Sequence, residues 1–399
     1  MAGWTAYVTA SSFPWGQAGS RRVNGMVRSL AALGHDVVVA NGGNPPSGES
    51  KLADVEGPGS VSWLGLGEFS DDCPAYSVRA WLSRGRKVIE WLDAQSTKPS
   101  HVVVSGGGAQ YAARLHEWCG RNRVTLIADV ADWPDRRHVR GGLIGPSNMT
   151  VKAALRHYYP RFDGVIAISS FLQRFYGKRN CHVLRVPPTL DAVNASIDGP
   201  PDRVDGALSL VYFGTPGKKD LVATMIRAVD QVAREGGDLK LHIFGPSLEE
   251  VGDLIGGRQL PHAVRVMGRL AQWEVATMVG KADFSIVVRR SDRFANAGFP
   301  TKFCESLAAG TPVIANLTSD LGAYLSDGVE GIVCVDHSVD ALAHALRRAL
   351  RLHPDELRAM RRAARERALA SFDYRNYVAE LGRFLRQVQS TRSFQDRRP

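Results

Sequence analysis

The chain has 399 residues, of which 44% are hydrophobic and 23% are charged. This length exceeds what one hydrophobic core usually supports, so two domains of ordinary size are expected, and the apolar content excludes a chain that is disordered throughout. The net charge of +10 favours a polyanionic neighbour: a phosphorylated substrate, a nucleic acid or an anionic lipid surface.

The cysteine pattern and the lack of long apolar runs limit the compartment and the kind of site. The five cysteines lie far apart and form no C-x-x-C pair, which argues against a zinc ribbon or a disulfide framework and favours a reducing cytosol. We therefore expect no metal site. Met1–Trp15 lacks the basic flank and continuous apolar core of a signal peptide, and no apolar run is long enough to span a bilayer. We expect a cytoplasmic protein that is soluble or peripheral on the inner face of a membrane.

The first half alternates apolar strands with helices. Ala6–Ala10 is predicted to be a strand, Ser11–Ser20 a loop containing Gly16 and Gly19, and Arg21–Leu33 a helix. The other predicted strands are 37–40, 101–104, 124–128, 163–168 and 183–186, and the other predicted helices are 76–94 and 109–122. This order is that of a parallel doubly wound sheet. The glycine pattern of the first loop is an incomplete dinucleotide fingerprint, so it favours a NAD site only weakly.

Two acids come directly after the predicted strand 124–128. Asp129 and Asp132 would lie at the carboxyl end of that strand, and ligands of open α/β sheets bind at such ends. Both are therefore candidates for a functional role. An exposed acid at the end of a strand, or a helix cap, is the alternative for Asp129.

Two stretches of the first half combine basic and aromatic residues. They are Arg79–Lys87, with Trp81, and Arg136–Arg161, with Tyr158 and Tyr159. A basic face with aromatic rings suits an anionic membrane, at about 1 kcal/mol for each basic residue near the surface. A solvated basic face is an equally good interpretation. Nucleic acid is less favoured, because the chain shows no recognised binding module.

The second half repeats the α/β rhythm after a polar segment. Its predicted strands are 208–213, 239–244, 264–267, 284–289, 313–316 and 331–335, and its predicted helices are 220–235, 339–352 and 355–370. The predicted organisation is a first domain at 1–190, a linker at 191–206, a second domain at 207–372, a helix at 374–389 that packs back on the first domain, and a polar tail at 390–399.

Gly298–Pro312 carries the densest set of local signals. Pro300 suits a first helical turn, and Thr301 can help to cap that turn. Gly310 can end the helix in a left-handed conformation, and Pro312 prevents it from resuming. A short helix whose N-terminus follows a glycine offers N–H groups and the positive end of a dipole, which together attract an anion.

These motifs, in this order, resemble the retaining GT-B glycosyltransferases of family 4, also called glycosyltransferase group 1. The resemblance covers nearly the whole chain. It is carried by Ser11–Gly19, Asp163–Ser169, Gly214–Asp220, the Pro300-Thr301-Lys302-Phe303-Cys304-Glu305 motif with its Gly310-Thr311-Pro312 ending, and Asp327–Gly331. The implied fold is α/β of the GT-B type, with two tandem Rossmann-like domains that face each other across a cleft.

The resemblance implies transfer of a sugar from a nucleoside-diphosphate sugar, which is a substrate, so no cofactor is expected. Charge that builds on the leaving diphosphate would be stabilised by a basic side chain and a helix N-terminus. Lys219 is expected to make this catalytic contact, with Lys218 as the alternative; a solvated charge is the other interpretation of Lys219. The further substrate contacts that the resemblance implies are Gly16, Gly19, Thr215, Arg269, Arg289, Gly298, Phe299, Pro300, Thr301 and Lys302.

Two carboxylates complete the implied site. Glu305 resembles the second glutamate of the family's paired-glutamate motif, which would bind the ribose hydroxyls through two acceptor oxygens. A helical pair with Lys302, worth a few tenths of a kcal/mol, is the alternative. The family's first glutamate would stand eight positions earlier, where this chain has Ala297. Asp129 falls near the position at which other members place a histidine beside the donor sugar, and it is expected to act in the active site.

The implied function is a retaining glycosyltransferase that builds a surface polysaccharide, a glycolipid or a glycosylated metabolite, with a glycan or lipid-linked acceptor. Two alternatives remain open. One is a nucleotide-sugar epimerase on the same fold. The other is a transferase-like partner subunit without activity, which the alanine at position 297 would suit. The sequence does not identify the sugar, the base or the acceptor.

Overall fold

The computed structural model describes residues 3–16, 18–68, 82–133, 146–179, 182–195, 206–216 and 219–395. The chain divides into two compact units. The first consists of Met1–Leu190 and Tyr374–Pro399, and the second of Asp191–Asp373. The chain therefore leaves the first unit once and returns to it for its last helix.

The first unit is built on an eight-stranded sheet. Its strands are β1 (Thr5–Thr9), β2 (Val37–Asn41), β3 (Ser50–Lys51), β4 (Val61–Gly65), β5 (His101–Ser105), β6 (Thr125–Val130), β7 (Gly164–Ala167) and β8 (Val183–Arg185). They lie in the order β3-β4-β2-β1-β5-β6-β7-β8, and every pair is parallel except β3 with β4. The helices that precede the second unit are α1 (Ala18–Ala32), α2 (Arg86–Asp93), α3 (Gly108–Asn122), α4 (Pro146–Ala153) and α5 (Ser170–Gly177).

The second unit is built on a six-stranded sheet. Its strands are β9 (Leu208–Phe213), β10 (Leu239–Phe244), β11 (Val264–Gly268), β12 (Phe284–Val287), β13 (Val313–Asn316) and β14 (Gly331–Cys334). Its helices are α6 (Val222–Arg234), α7 (Leu248–Leu254), α8 (Gln272–Gly280), α9 (Arg293–Ala297), α10 (Thr301–Ala308), α11 (Val339–Leu350) and α12 (Pro354–Ser371). All neighbouring strands are parallel, in the order β11-β10-β9-β12-β13-β14.

The last helix, α13 (Val378–Gln395), belongs to the core of the first unit. Leu381, Phe384 and Val388 are buried in one cluster with apolar residues of α1 and of the sheet. At Gly164 of β7 an added Cβ would lie 2.7 Å from the ring of Phe384, so the helix lies directly against the strand. Close packing of this kind makes the core sensitive to the loss of even one side chain.

The structure confirms the predicted fold class, since both units are parallel-sheet Rossmann-like α/β domains. Several predicted boundaries were wrong. No strand was predicted between the strands 37–40 and 101–104, where the structure has β3 and β4. The expected helix 76–94 is present in part as α2, which begins after Gly85 in a left-handed conformation with φ +86°; residues 76–81 of that prediction lie outside the described residues. Only glycine adopts such a conformation without strain, so the helix starts there.

Candidate active site

The carboxyl ends of β9 and β12 meet where the strand order of the second sheet reverses. β9 pairs with β10 on one side and with β12 on the other, so successive connections leave this point in opposite directions. Ligands of open parallel sheets bind in the crevice at such a point. Residues 214–220 follow β9 at this edge, Arg289 follows β12, and α10 begins beside them.

A buried carboxylate, Asp220, brings two cationic side chains together here. Nε of Arg289 donates to its Oδ1 at 2.7 Å, and Nζ of Lys302 donates to its Oδ2 at 2.8 Å. The hydroxyl of Tyr212 also donates to Oδ2, at 3.0 Å. Burial by itself would raise the pKa of the Asp220 carboxyl, but the charges and hydrogen bonds of Arg289 and Lys302 outweigh burial and hold the pKa below its usual range. The carboxylate is therefore ionised.

The backbone fixes the Arg289 side of this cluster. Asp220 and Arg289 form an antiparallel bridge, and the N–H of Leu221 donates to the carbonyl of Val288 at 2.9 Å. The amide of Asn316, at the end of β13, accepts from the N–H of Arg289 at 2.9 Å and donates to its carbonyl at 2.8 Å. The arginine thus starts from a backbone position that two neighbouring segments determine.

A glycine makes room for the lysine side of the cluster. Gly214 follows β9 directly and has φ +94°, and an added Cβ would lie only 2.9 Å from Cε of Lys302. The absence of a side chain there lets Lys302 reach Asp220. The ammonium lies 5.1 Å from the centroid of the Tyr212 ring. Burial raises the pKa of Tyr212 well above its usual value, so the hydroxyl keeps its proton and acts as a donor.

Helix α10 begins one residue later than predicted. Pro300 has φ −74° and ψ 105°, so it is the N-cap residue, and Thr301 is the first helical residue rather than the cap. The φ of proline is compatible with both positions, which is why the sequence did not separate them. The end of the helix was predicted correctly. Gly310 has φ +69°, its N–H donates to the carbonyl of Leu307 at 2.9 Å, and the N–H of Thr311 donates to that of Ser306 at 2.9 Å. This is a Schellman motif.

The other residues that were predicted to contact the nucleotide-sugar donor lie in different environments. Nζ of Lys219 lies 3.9 Å from the centroid of the Phe294 ring, in α9. Thr215 and Arg269 are exposed, and Lys218 lies outside the described residues. The ring of Phe299 packs in a cluster with Phe303, Tyr324 and Phe372, at centroid distances of 6.3, 5.7 and 5.9 Å. Only the backbone of Phe299 therefore suits a substrate contact.

The acidic end of the motif lies on α10 itself. Glu305 is half-buried and three residues after Lys302, so both side chains lie on the same face of the helix. Ala297, which stands where the family has its first glutamate, is fully buried at the end of α9. Gly298 follows it in an extended conformation, and its carbonyl accepts a hydrogen bond from the hydroxyl of Ser319.

In the first unit, Asp129 lies inside β6 rather than past its end. It is 1% exposed, and its carboxylate accepts from Nη2 of Arg22 at 2.8 Å and from the hydroxyl of Tyr7 at 2.6 Å. Nη1 of Arg22 donates to the carbonyls of Val186 and Pro187, each at 2.7 Å. A buried position is tolerable for Asp129 because Arg22 neutralises it. Its role in catalysis stays a prediction.

The glycine loop after β1 folds against its own serines. The hydroxyl of Ser20 donates to the carbonyl of Ser12 at 2.6 Å. A Cβ at Gly19 would lie 2.4 Å from Oγ of Ser11, and a Cβ at Gly16, which is exposed, would lie 2.4 Å from Oγ of Ser20. The two glycines thus allow a tight turn at the carboxyl end of β1, and their contact with an acceptor stays a prediction.

Sequence reasoning missed two residues that organise these sites, Asp220 and Arg22. Asp220 meets Lys302 across 82 positions of the chain, a pairing that no local pattern reports. Arg22 did carry a signal, because it is a cation directly before the apolar positions Val23 and Met26 of a helix. Within the described part of the chain, no group of three or more His, Cys, Asp or Glu side chains is placed to hold a metal ion.

Comparisons with known proteins bear on both units. The family model described as "Glycosyl transferase 4-like domain" matches residues 18–188, and that described as "Glycosyl transferases group 1" matches residues 202–367. The glycogen synthase of Mycobacterium tuberculosis is 23% identical over 385 residues, covering 89% of this chain and 87% of that protein.

Solved structures share the fold over nearly the whole chain. Sucrose-phosphate synthase from Thermosynechococcus elongatus superposes with a TM-score of 0.75 at 15% identity, covering 97% of this chain and all of that one. The HepE protein of Anabaena, solved with UDP and glucose, has a TM-score of 0.66 at 13% identity and covers 96% of this chain and 99% of that one.

Proposed function

The chain is a GT-B glycosyltransferase made of a 4-like and a group 1 domain, and from this premise we propose that it transfers a sugar, with retention of configuration, from a nucleoside-diphosphate sugar to a glycan, glycolipid or metabolite acceptor. The observation that supports this function is the cationic cluster of Lys302 and Arg289 around Asp220, at the carboxyl ends of β9 and β12.

The cluster has the charge that a diphosphate leaving group needs. Arg289, Lys302 and the neighbouring Lys219 are three cations against the two carboxylates of Asp220 and Glu305, so these groups together carry net positive charge. The N-terminus of α10 adds the positive end of its dipole. Negative charge grows on the diphosphate as the glycosidic bond breaks, and fixed positive groups in a site of low exposure stabilise that charge without rearranging. This would account for catalysis by electrostatic stabilisation of the leaving group.

Glu305 supports a nucleoside as the other part of the donor. Its carboxylate stands one turn into the helix whose first turn supplies Lys302, so one rigid element would present both a cation and an acceptor. A ribose offers two hydroxyl donors, and an ionised carboxylate has two acceptor oxygens. The related HepE protein, with UDP and glucose in its structure, binds a ligand of this kind.

A donor screen tests the proposal directly. Purified protein is incubated with UDP-, GDP- and dTDP-sugars, and binding is followed by thermal shift and turnover by release of the nucleoside diphosphate. We expect one donor class to stabilise the fold, by roughly 2.7 kcal/mol at one hundred times its dissociation constant. The proposal is wrong if the wild-type protein neither binds nor turns over any of these donors.

Two variants make the screen specific to the site. Lys302→Met is expected to lower kcat/KM for the donor by about 10²- to 10³-fold, the usual effect of removing one group that stabilises the transition state. Lys281→Met, an exposed lysine of the same unit, is the matched control and should leave kcat/KM unchanged. Equal effects of the two substitutions would mean that Lys302 does not contact the donor.

The stereochemical outcome and the alternatives are separated by one NMR experiment. A retaining transferase gives a product whose anomeric coupling matches that of the donor. An epimerase would change the sugar of the nucleotide without any acceptor. Turnover that appears only after a second transferase is added would identify the chain as a partner subunit, which is the outcome that Ala297 would favour.

We also propose a peripheral contact of the first unit with an anionic membrane, where a lipid-linked acceptor would be found. Met149 of α4 is 61% exposed, and Lys152 and Arg156 follow it in a chain with a net charge of +10. No helix in the described ranges is long and apolar enough to cross a membrane. Cosedimentation should be seen with vesicles that contain phosphatidylglycerol and not with pure phosphatidylcholine. Equal recovery with both would contradict the proposal.

A further inference from the structure

The carboxylate of Asp220 lies deeper than the two cations that it holds. The exposed fraction of its side chain is 4%, against 8% for Arg289 and 15% for Lys302. A ligand that approaches this edge of the sheet therefore meets the cations before the carboxylate. Asp220 is ionised despite its burial, so it acts as a permanent counter-ion beneath the surface of the site.

The two oxygens of Asp220 divide the cations between them. Oδ1 receives Arg289, whereas Oδ2 receives Lys302 together with the hydroxyl of Tyr212. The separation of the two positive charges is thus set by the width of one carboxylate. A lysine ammonium at the end of a flexible four-carbon stem has no fixed position without such a partner, and two like charges this close repel each other.

We propose that Asp220 is a positioning residue of the transferase: it holds Lys302 and Arg289 at the separation and orientation in which they meet the diphosphate of the donor. This inference rests on the proposed function, because it concerns the same cationic site. It assigns the orienting role to a buried acid in the loop after β9, a loop from which the sequence predicted contacts by Thr215, Lys218 and Lys219 but not by Asp220. Asp220 itself does not touch the donor.

Because Asp220 is charged, its positioning role predicts opposite effects of its removal on nucleotide binding and on turnover. Its removal makes the site more positive by one unit, so a nucleoside diphosphate should bind as tightly as before or more tightly. The cations would no longer be held where charge develops in the transition state, so turnover should fall. Loss of an interaction that matters only in the transition state lowers kcat and kcat/KM together. A merely structural tie would instead change stability and leave kcat of the folded enzyme unaltered.

The test compares Asp220→Asn with the wild-type full-length chain. We expect kcat for the donor that is active in the screen to fall by about 100-fold, the scale of losing one oriented group in a charge-stabilising site. The dissociation constant of the corresponding nucleoside diphosphate, measured by calorimetry, should be unchanged or smaller. Asp220→Glu, which restores the charge on a longer stem, should recover part of kcat. The inference is overturned if Asp220→Asn keeps wild-type kcat, or if it loses nucleotide binding and kcat in the same proportion.

Two further variants guard against an effect on folding. Glu330→Gln removes the charge of another buried carboxylate of the same unit, which pairs with Arg367 at 2.7 Å. It should lower the melting temperature without lowering kcat at a temperature well below the melting point. Gly214→Ala forces Cε of Lys302 away and also strains a residue with φ +94°, so it should lower the melting temperature and, well below that temperature, reproduce the loss of kcat even if Asp220→Asn does not fold. Wild-type kcat in Gly214→Ala would count against the inference.

The outcomes separate this inference from the function on which it rests. If the wild-type chain turns over no donor, the proposed function fails and the positioning role fails with it. If the wild type is active and Asp220→Asn is equally active, the function stands and the positioning role fails.

Discussion

Arg22 and Asp129 form an ion pair in the first unit from which water is excluded. Both side chains are at most 1% exposed, and the guanidinium also satisfies two backbone carbonyls. Two buried charges of opposite sign are tolerable only as a pair, because either one alone would keep its full desolvation cost. The pair therefore ties β6 to α1 and to the segment that follows β8.

Neutralising one member should be costly for the first unit. Asp129→Asn leaves the charge of Arg22 buried and unbalanced, so we expect the free energy of unfolding to fall by about 3–5 kcal/mol, measured by urea denaturation. Glu117→Gln, which breaks an exposed helical pair with Arg121, is the control and should change it by less than about 0.5 kcal/mol. A change of similar size in both variants would contradict the prediction. The kcat of the folded fraction of Asp129→Asn then shows whether Asp129 also acts in catalysis.

A second residue-scale prediction concerns acid stability. The ring of His101 is 3% exposed and lies 5.6 Å from that of His35. Burial, with a smaller effect of His35, lowers the pKa of His101 from 6.5 to about 4, and burial also lowers the pKa of His35. The unfolded chain therefore takes up protons first as the pH falls. The stabilisation is complete above pH 6.5 and is lost progressively toward pH 4, by on the order of 3 kcal/mol from His101.

Replacing the imidazole should flatten this dependence. His101→Phe keeps an aromatic ring but cannot be protonated, and Ser100, which contacts Nδ1, keeps a hydrogen bond to the carbonyl of Trp4. Urea denaturation between pH 4 and 7 should show a smaller loss of stability in the variant than in the wild type. The same slope in both proteins would mean that other groups cause the acid sensitivity.

The sequence could predict individual residues only where a local motif carries them. Lys302 and Glu305 stand in one short motif, so the sequence could predict both as site residues. The structure places both on one face of α10. The sequence could not predict that Lys302 meets Asp220 and Arg289. These residues come from three separate segments, and only the strand order brings them together. The burial of Asp129 depends in the same way on an arginine more than one hundred positions away.

At the scale of elements, the stability of α10 depends on the conformation of the one glycine that ends it. Gly310 closes the helix with φ +69°, a conformation that an L-residue with a side chain adopts at a cost. Gly310→Ala should therefore reduce the free energy of unfolding by about 1 kcal/mol or slightly more. Gly252, inside α7 with open space around it, is the matched control. Gly252→Ala should raise the free energy of unfolding by roughly 0.5–1 kcal/mol. Thermal denaturation measures both, and the same sign of change in both variants would contradict the prediction.

The elements that were predicted have a stronger hydrophobic pattern in the sequence than those that were missed. Central strands such as β1 and β5 are continuous apolar runs, and long helices such as α1 carry a full apolar stripe. The short helices α7 and α9 have too few turns to show a period. A start signal was nevertheless present for α7, because Ser247 and Glu250 form a capping box. Helix boundaries that differ by one residue, as at Pro300, lie below what a sequence pattern can separate.

At the scale of the whole molecule, the first unit depends on the end of the chain. Leu381, Phe384 and Val388 fill its core, and Ser29 of α1 donates to the carbonyl of Tyr374 at 2.9 Å. Deleting residues 374–399 should therefore destabilise the first unit and spare the second. Calorimetry should show the transition of the first unit at a lower temperature, while nucleotide binding, which we assign to the second unit, persists. A uniform loss of stability, or an unchanged thermogram, would contradict this prediction.

The return of α13 also sets the order in which the two cores can be completed during synthesis. The segment Asp191–Asp373 is synthesised as a whole before Phe384 and Val388 are made. The unit that is encoded first is thus the last to have all of its core residues synthesised, and the surface of β7 around Gly164 stays uncovered by Phe384 until α13 is made. Domains usually complete their folding in the order of their synthesis. In this chain, the insertion of one unit into the sequence of the other means that the core encoded first is the one whose last residues are made at the end.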